Sequence, residues 1–386
     1  MKKTIIRILK KTIGLLNSFI YKKNNRVYLF SIPDYTGNSK AMSDYLINEH
    51  PGKYELVWSV SKPSSILNNN NTINMVKKGS LKSYIYFFTS KYIISTHNEM
   101  VSICGNNQVY ISLWHGMPFK KICYLGKTDY IGMENYSAKR IATSEITRSI
   151  ISASFCEKAN NVYITGQPRN DLLFRPYNIS NIIPDISKEK KLLLYIPTFR
   201  ENRNNKKYSD GSCINGDNFL RVDDFNITQL NNFLDENNCI LLLKLHPYEE
   251  EYFHNKNELS NNIYILNSQL MNSAGIDINQ LSSQCHTLIT DYSSIYLDFL
   301  IIEKPIIFLV PDIKEYALSR GGFTLEPYDF WMPGYKIETQ QDLLLTLKKL
   351  LDEKDEYIEK RRIVNTIINK FTDNKNSERV YNEFFK

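Results

Sequence analysis

The sequence is poor in cysteine, and the cysteines it has are far apart. The six cysteines in the 386-residue chain include no CxxC pair. Zinc sites and disulfide frameworks need closely spaced or paired cysteines, so both classes are disfavoured. The pattern is typical of reduced, mostly buried thiols in the cytosol, where they act as small hydrophobic residues.

Glycine-rich phosphate loops are also missing. The sequence contains neither GxxxxGK[ST] nor GxGxxG, which disfavours P-loop NTPases, kinases and ordinary dehydrogenases. It has no recognisable nucleic-acid motif, and its lysines are spread out, so we do not expect nucleic acid as a partner. A net charge of +7 instead favours anionic partners such as phosphates or a membrane surface.

The N-terminal segment lacks the long apolar run of a transmembrane helix. Its longest uncharged stretch, Thr12 to Tyr21, is far below the roughly 20 residues that cross a bilayer. Apolar residues recur at helical spacing from Ile5 to Ile20 among basic residues, the pattern of a basic amphipathic helix. We expect residues 1–24 to lie on an anionic membrane surface. Packing against the body of the protein is the alternative.

From about Arg26 onward, strands alternate with helices. The predicted strands of the first half are "NRVYLFSI", "YELVWSV", "KYIISTH", "QVYISLW", "RIATSE" and "NVYITG", and those of the second half are "KLLLYIPT", "CILLLKLHP", "NIYILN", "TLITDYS" and "PIIFLV". The helix "NSKAMSDYLINEH" is expected to be capped by Asn38 or Ser39. Apolar strands alternating with helices predict an α/β fold with parallel sheets covered on both faces. The linker "RPYNISNIIPDISKEKK" divides it into two Rossmann-like doubly wound domains, residues 25–175 and 190–386.

Polar residues collect where the predicted strands end, which is where ligands bind in such sheets. The candidates in the first half are His115, Gly116, Arg169 and Asp171, and those in the second half are Arg200, Lys244, His246, Thr290, Asp291, Ser293, Ser294, Asp298 and Arg320. Each alone has a structural explanation: a core histidine, a local ion pair or a helix cap. Together they favour chemistry, because Arg and Lys clamp phosphate oxygens and His accepts protons near neutral pH. The set indicates phosphoryl or glycosyl transfer from a nucleotide diphosphate. The long polar loop that begins at Arg200 is expected to face substrate.

Several of these stretches also resemble one enzyme family. "LWHGMPFK", "GQPRNDLL", "YIPTFR", "LKLHP", "LITDYSSIYLDFL", "KPIIFLVPD" and "RGG" follow one another from about residue 110 to 325. In this order they resemble the CDP-glycerol glycerophosphotransferases of bacterial wall teichoic acid and capsule synthesis.

The resemblance implies a GT-B-type fold with the active site in an interdomain cleft, and peripheral attachment to the cytoplasmic face of the bacterial membrane. Residues 25–175 would then bind a lipid-linked or glycan acceptor, and residues 190–386 would bind CDP-glycerol or CDP-ribitol. No cofactor is obligatory, and Mg²⁺ on the diphosphate is left open.

Site roles also follow from the resemblance. His115 would be the catalytic base, and His246 would contact the donor phosphates. Arg200, Ser293 and Ser294 would hold the nucleotide diphosphate. Lys244, Thr290, Asp291, Asp298 and Arg320 complete the donor set, and Gly116, Arg169 and Asp171 would line the cleft.

Two other functions stay open from the sequence. One is a GT-B glycosyltransferase that uses a sugar nucleotide, with attack at a sugar carbon. The other is a non-catalytic nucleotide-binding partner in an assembly complex.

Overall fold

The computed structural model describes residues 2–65, 73–127, 129–131, 133–134, 136–175, 177–184, 186–187, 189–200, 214–253 and 258–385. The chain forms two compact units. Unit 1 comprises Met1–Met117, Gly132–Phe174 and Lys370–Lys386, and unit 2 comprises Pro118–Ile131 and Arg175–Asn369.

Strands and helices alternate along most of the described chain. The strands are β1 (Lys23–Phe30), β2 (Glu55–Val60), β3 (Ile73–Lys77), β4 (Ser90–Ser95), β5 (Val109–Ser112), β6 (Lys139–Ala142), β7 (Val162–Ile164), β8 (Lys191–Ile196), β9 (Cys239–Leu243), β10 (Glu258–Ser260), β11 (Ile263–Ile265), β12 (Thr287–Thr290), β13 (Ile306–Leu309) and β14 (Tyr335–Ile337). The helices are α1 (Lys2–Asn17), α2 (Gly37–Glu49), α3 (Leu81–Thr89), α4 (Glu145–Phe155), α5 (Ile227–Glu236), α6 (Ser268–Ala274), α7 (Ile278–Ser282), α8 (Ile295–Phe299), α9 (Ile313–Arg320), α10 (Tyr328–Trp331), α11 (Gln340–Leu351), α12 (Ile358–Ile368) and α13 (Asn376–Phe384).

Unit 1 is built on a seven-stranded sheet in the order β3-β2-β1-β4-β5-β6-β7, with every pair parallel. Successive side chains of β1 enter different cores: Val27 and Leu29 pack in one cluster, and Tyr28 and Phe30 pack in another. Both faces of the sheet are therefore covered, as the continuous apolar strands predicted. The strand order reverses direction between β1 and β4, which is where such sheets place ligands.

Unit 2 contains a second seven-stranded sheet, in the order β10-β11-β9-β8-β12-β13-β14. Its pairs are parallel except for β10 with β11, which is antiparallel. The strand order reverses between β8 and β12. The predicted α/β class with two mainly parallel sheets is confirmed. The sequence patterns missed β3, β10 and β14, because these edge strands are short and only partly buried.

The units depart from the expected domain ranges in two places. Residues 118–131 belong to unit 2 although they follow β5 of unit 1. The physical reason is Phe119, a fully buried ring that stacks on Phe323 at 4.8 Å between centroids and meets Tyr296 edge-on at 5.4 Å. Lys120 also forms a β-bridge with Phe323. The last residues, 370–386, return to unit 1.

The predicted cap of α2 is wrong. The helix starts after Thr36, which makes no side-chain capping bond, and Asn38 lies inside the first turn. Its side chain is fully buried and donates hydrogen bonds to the backbone carbonyl oxygens of Leu113 and Trp114.

Helix α1 is attached to unit 1 mainly through its polar C-terminal end. The amide of Asn17 donates to the carbonyl oxygen of Ile103 at 2.9 Å and to Oε1 of Gln108 at 2.7 Å. Its apolar residues, in contrast, are largely exposed: Ile5 at 62%, Leu9 at 57% and Leu16 at 61%. Across the described ranges of the chain, the helices are all too short or too polar to cross a bilayer.

Candidate active-site residues at the strand ends

His115 lies three residues beyond the end of β5, in a sharply turned stretch of backbone. Trp114 has a φ of +52° and Gly116 a φ of +138°. Non-glycine residues seldom adopt positive φ, and a φ near +138° is accessible mainly to glycine. Gly116 is therefore explained by backbone conformation. The turn leaves the side chain of His115 exposed at the carboxyl end of the sheet.

Buried polar side chains hold this turn in place. The amide nitrogen of Asn38 donates to the carbonyl oxygens of Leu113 at 3.1 Å and Trp114 at 3.0 Å. Its Oδ1 accepts from the backbone N–H of Arg169 at 3.0 Å. Arg169 in turn donates from Nη1 to the carbonyl oxygen of His115 at 2.8 Å. Arg169, predicted to line a cleft, thus contacts the backbone that carries His115.

The tautomer of the neutral His115 ring follows from one contact. Its Nδ1 lies 3.0 Å from the carbonyl oxygen of Thr96, the residue after β4. A carbonyl oxygen can only accept, so Nδ1 carries the proton and the lone pair of the neutral ring is on Nε2. A histidine in this tautomer can accept a proton at Nε2.

A second histidine adjoins His115, and it is not among the candidate residues predicted from the sequence. The rings of His97 and His115 stack with centroids 4.3 Å apart and planes 16° from parallel. Burial above all, then the charges of His115 and Lys78, lower the pKa of His97 to about 3. The strand-end rule could have found it, because His97 is the last residue of the predicted strand "KYIISTH".

Asp171 has a different role from its neighbour Arg169. Its carboxylate accepts from the backbone N–H of Asn376 and of Ser377, each at 2.8 Å, and from the Asn376 amide at 2.8 Å. These groups form the start of α13, so Asp171 anchors the C-terminal helix. Burial raises the pKa of Asp171.

In unit 2, a buried ionic network joins three strand ends. Arg200 follows β8, and its guanidinium contacts Asp291 after β12 at 2.8 Å and Asp312 after β13 at 2.7 and 3.0 Å. Asp291 also accepts from the N–H groups of Thr198 and Ser293. Burial lowers the pKa of Arg200, but the two carboxylates outweigh it and hold the pKa well above its usual value. Only 2% of Arg200 is exposed, so the predicted contact with a diphosphate stays a prediction.

His246 lies after β9 with the opposite tautomer to His115. The backbone N–H of Tyr248 points to its Nδ1 at 3.3 Å, so Nδ1 accepts and the proton of the neutral ring is on Nε2. Phe199 and Tyr248 each have a ring centroid 4.6 Å from that of His246. His246 is partly exposed and can donate a hydrogen bond from Nε2.

The remaining donor candidates differ in accessibility. Lys244 pairs with Glu250 at 2.7 Å, and the buried Thr290 donates to the carbonyl oxygen of Ile196 at 2.7 Å. Asp298 is buried and accepts from Asn279 at 3.3 Å. Ser293 and Ser294 are partly exposed where the short α8 begins.

Two predicted features fall partly or wholly outside the description. Arg320 ends α9, but its side chain is outside the described part. In the polar loop after Arg200, residues 201–213, including Cys213, lie outside the described residues. Where side chains are described, no group of three or more His, Cys, Asp or Glu residues is arranged to hold a metal ion.

Comparison with known proteins identifies the family. Residues 13–386 match the family model of CDP-glycerol:poly(glycerophosphate) glycerophosphotransferase. A teichoic acid poly(glycerol phosphate) polymerase of Bacillus spizizenii is 29% identical, over 91% of this chain and 89% of the relative. A teichoic acid glycerol-phosphate transferase of Staphylococcus aureus is 26% identical over the full length of both chains.

A solved structure of the wall teichoic acid polymerase TagF has a similar fold. It superposes with a TM-score of 0.76 at 20% identity, over 99% of this chain and 96% of that one. With the match of the family model over nearly the whole sequence, the chain belongs to the CDP-glycerol:poly(glycerophosphate) glycerophosphotransferase family.

Proposed function

We propose that this enzyme transfers a polyol phosphate, in the first instance glycerol phosphate, from a CDP-polyol to a hydroxyl group of a lipid-linked or glycan acceptor in teichoic acid synthesis. CMP is the other product. The observation that carries the proposal is the tautomer of His115, since the contact of Nδ1 with the Thr96 carbonyl leaves the lone pair on Nε2.

His115 acts as the general base in this reaction. Its Nε2 takes the proton of the acceptor hydroxyl, whose oxygen attacks the polyol-bearing phosphorus. A new phosphorus–oxygen bond forms, and the bond from that phosphorus to the bridging oxygen breaks. CMP leaves with the bridging oxygen and its electron pair. General-base assistance of this kind contributes about 10²–10⁴-fold.

The donor phosphates are held by residues of unit 2. His246 donates from Nε2, the nitrogen that the Tyr248 contact leaves protonated, and the partly exposed Ser293 and Ser294 offer hydroxyl groups. Donors placed in advance stabilise the charge that develops on phosphate oxygens in the transition state. Arg200 and Asp291 act as positioning residues, because their contacts tie together the strand ends that carry these donors.

The same proposal includes the domain arrangement and the cellular location that the family resemblance implies. The protein adopts a GT-B arrangement in which unit 1 serves the acceptor and unit 2 the CDP-polyol. The enzyme works at the cytoplasmic face of the membrane. Helix α1 binds the membrane surface there through its exposed apolar side chains and its basic residues.

The test is release of CMP by the purified chain with a hydroxyl-bearing acceptor. CDP-glycerol, CDP-ribitol and a UDP-sugar are compared as donors, and we expect CMP from a CDP-polyol. His115→Asn should lower the rate by about 10²–10⁴-fold and still bind CDP-glycerol in calorimetry. Near-normal turnover by His115→Asn would remove the base assignment. Transfer from the UDP-sugar alone would make the protein a glycosyltransferase.

A further inference from the structure

His97 lies next to the proposed base in unit 1, but the reaction proposed above gives it no role. It follows Thr96 at the carboxyl end of β4, beside the point where the strand order reverses. Ser95 and Ser112, the last residues of β4 and β5, pair with each other in the sheet. The segments after these two strands therefore start level, which brings the ring of His97 against that of His115.

The ring of His97 is itself held firmly. Its Nδ1 lies 2.9 Å from Oγ1 of Thr96, and its backbone N–H donates to Ser95 Oγ at 3.0 Å. Its carbonyl oxygen accepts from the Tyr110 hydroxyl at 3.2 Å. Phe30 meets the ring edge-on, with centroids 6.5 Å apart. His97 is thus partly buried and its ring is fixed in place, whereas the side chain of His115 is exposed.

Two adjacent residues constrain His115 in complementary ways. The Thr96 carbonyl fixes the tautomer through Nδ1, and the His97 ring covers one face of the imidazole. With Nδ1 tethered and the ring plane defined by stacking, the direction of the Nε2 lone pair is set. Aromatic rings prefer such offset stacked contacts, and an exposed histidine without them would sample several rotamers.

The charges around the pair also matter. Lys78 pairs with Glu99 at 3.0 Å, and its ammonium lies 4.5 Å from the centroid of the Phe30 ring. Arg140 contacts Asn98, and Arg169 contacts the carbonyl of His115. Two imidazolium ions stacked at this distance repel each other. The low pKa of His97 agrees with a pair that carries at most one positive charge near neutral pH.

We propose that His97 is a positioning residue for His115: its stacked ring fixes the ring plane of the base, and because two imidazolium ions at this distance would repel each other, the single positive charge of the pair goes to His115. The inference rests on the proposed function of His115 as proton acceptor. It adds a second histidine that directs the base without touching the substrate.

The first test separates stacking from chemistry. His97→Ala removes the ring, and His97→Phe keeps a flat ring without nitrogen. We expect His97→Ala to lower kcat by about 10–100-fold with the KM for CDP-glycerol within about twofold, since unit 2 holds the donor. His97→Phe should recover most of kcat. His50→Phe is the matched control, because His50 also stacks on an aromatic ring, that of Tyr381, with centroids 3.9 Å apart. His50 follows the last residue of α2, whereas Asn38, which contacts the turn before His115, lies at the start of that helix. The 12 residues between them correspond to about 18 Å at the helical rise.

The second test does not depend on activity. In the full-length protein with ¹⁵N-labelled histidine, only one member of the pair should titrate between about pH 5 and 8. The neutral form of that histidine should show the proton on Nδ1, and the His115→Asn spectrum assigns it. This readout holds even if the Ala variant does not fold.

Each outcome bears on the inference. Equal and large losses in His97→Ala and His97→Phe would mean that a nitrogen of His97 is needed chemically, and would overturn the positioning role. Wild-type kcat in both variants, or titration of both histidines in that pH range, would overturn it as well. If wild-type protein releases no CMP from any CDP-polyol, the proposed function fails, and the titration still reports on the pair.

Discussion

Arg200 illustrates how a residue's surroundings determine what it can do. A strand-end arginine suggests phosphate binding, but its guanidinium lies between Asp291 and Asp312 and is 2% exposed. It also lies over the rings of Tyr292 and Tyr316, at 5.1 and 4.9 Å from their centroids. Removing one partner of such a buried network leaves charges without compensation, which costs more than the pair contributes.

We therefore expect Arg200→Met to lower the free energy of unfolding by about 3–5 kcal/mol, measured by urea denaturation. Arg362→Met is the control. Arg362 pairs with Glu303 and Glu359 on the surface, where solvent screens ion pairs, so its loss should leave the free energy of unfolding close to the wild-type value. Unchanged stability of Arg200→Met with much weaker binding of CDP-glycerol would instead make Arg200 a direct phosphate ligand.

Helix α1 shows the same separation between pattern and environment. Its spacing predicts an amphipathic helix, and the structure forms one over Lys2–Asn17. Whether the apolar side packs inward could not be read from spacing, because both alternatives have the same periodicity. In the structure Ile5, Leu9 and Leu16 are exposed, and Asn17 makes the inward contacts.

If α1 lies on a membrane as proposed, its exposed apolar residues drive the binding. Ile5→Ser, Leu9→Ser and Leu16→Ser together should lower affinity for phosphatidylglycerol-containing vesicles at least about tenfold, since each buried side chain is worth about 1.5–3 kcal/mol. Sedimentation with vesicles measures this. Leu345→Ser with Ile363→Ser is the matched control, because these residues are 59% and 54% exposed in unit 2. Equal binding by both variants would refute the role of α1.

The path of the chain through its two units is the feature furthest from local sequence. Residues 118–131 join unit 2, and residues 370–386 return to unit 1. There Val380, Phe384 and Phe385 pack in the core cluster that includes Leu29, Trp58 and Ile111. Asp171 anchors this return by accepting three hydrogen bonds at the start of α13.

We expect Asp171→Ala to destabilise the protein by about 2–4 kcal/mol, because buried N–H groups lose their acceptor. Urea denaturation measures the change, and limited proteolysis should detect earlier release of the C-terminal helix. Asp373→Ala is the control: it removes the partner of Arg379 at a half-exposed site, so the cost should stay within about 1 kcal/mol. Equal costs in both variants would contradict the anchoring role.

Much of the fold and part of the candidate site could be predicted from the sequence. Strands such as "CILLLKL" and "KLLLYI" are continuous apolar runs, and residues after them, such as His115 and His246, lie at strand ends because of their position along the chain. Both properties are local. The short edge strands β3, β10 and β14 were missed, because an edge strand is less buried and its side chains are less constrained to be apolar.

The partners of those strand-end residues depend on tertiary structure. The sequence separates His97 from His115, Arg200 from Asp312, and Asp171 from Asn376, so no local pattern predicts their contacts. Each contact arises because parallel strands bring distant carboxyl ends to one edge, or because the last helix returns to the first sheet. Local sequence thus determined the elements and the family motifs. Tertiary packing decided which histidine has its lone pair on Nε2, which arginine is buried between carboxylates, and which aspartate holds the C-terminal helix.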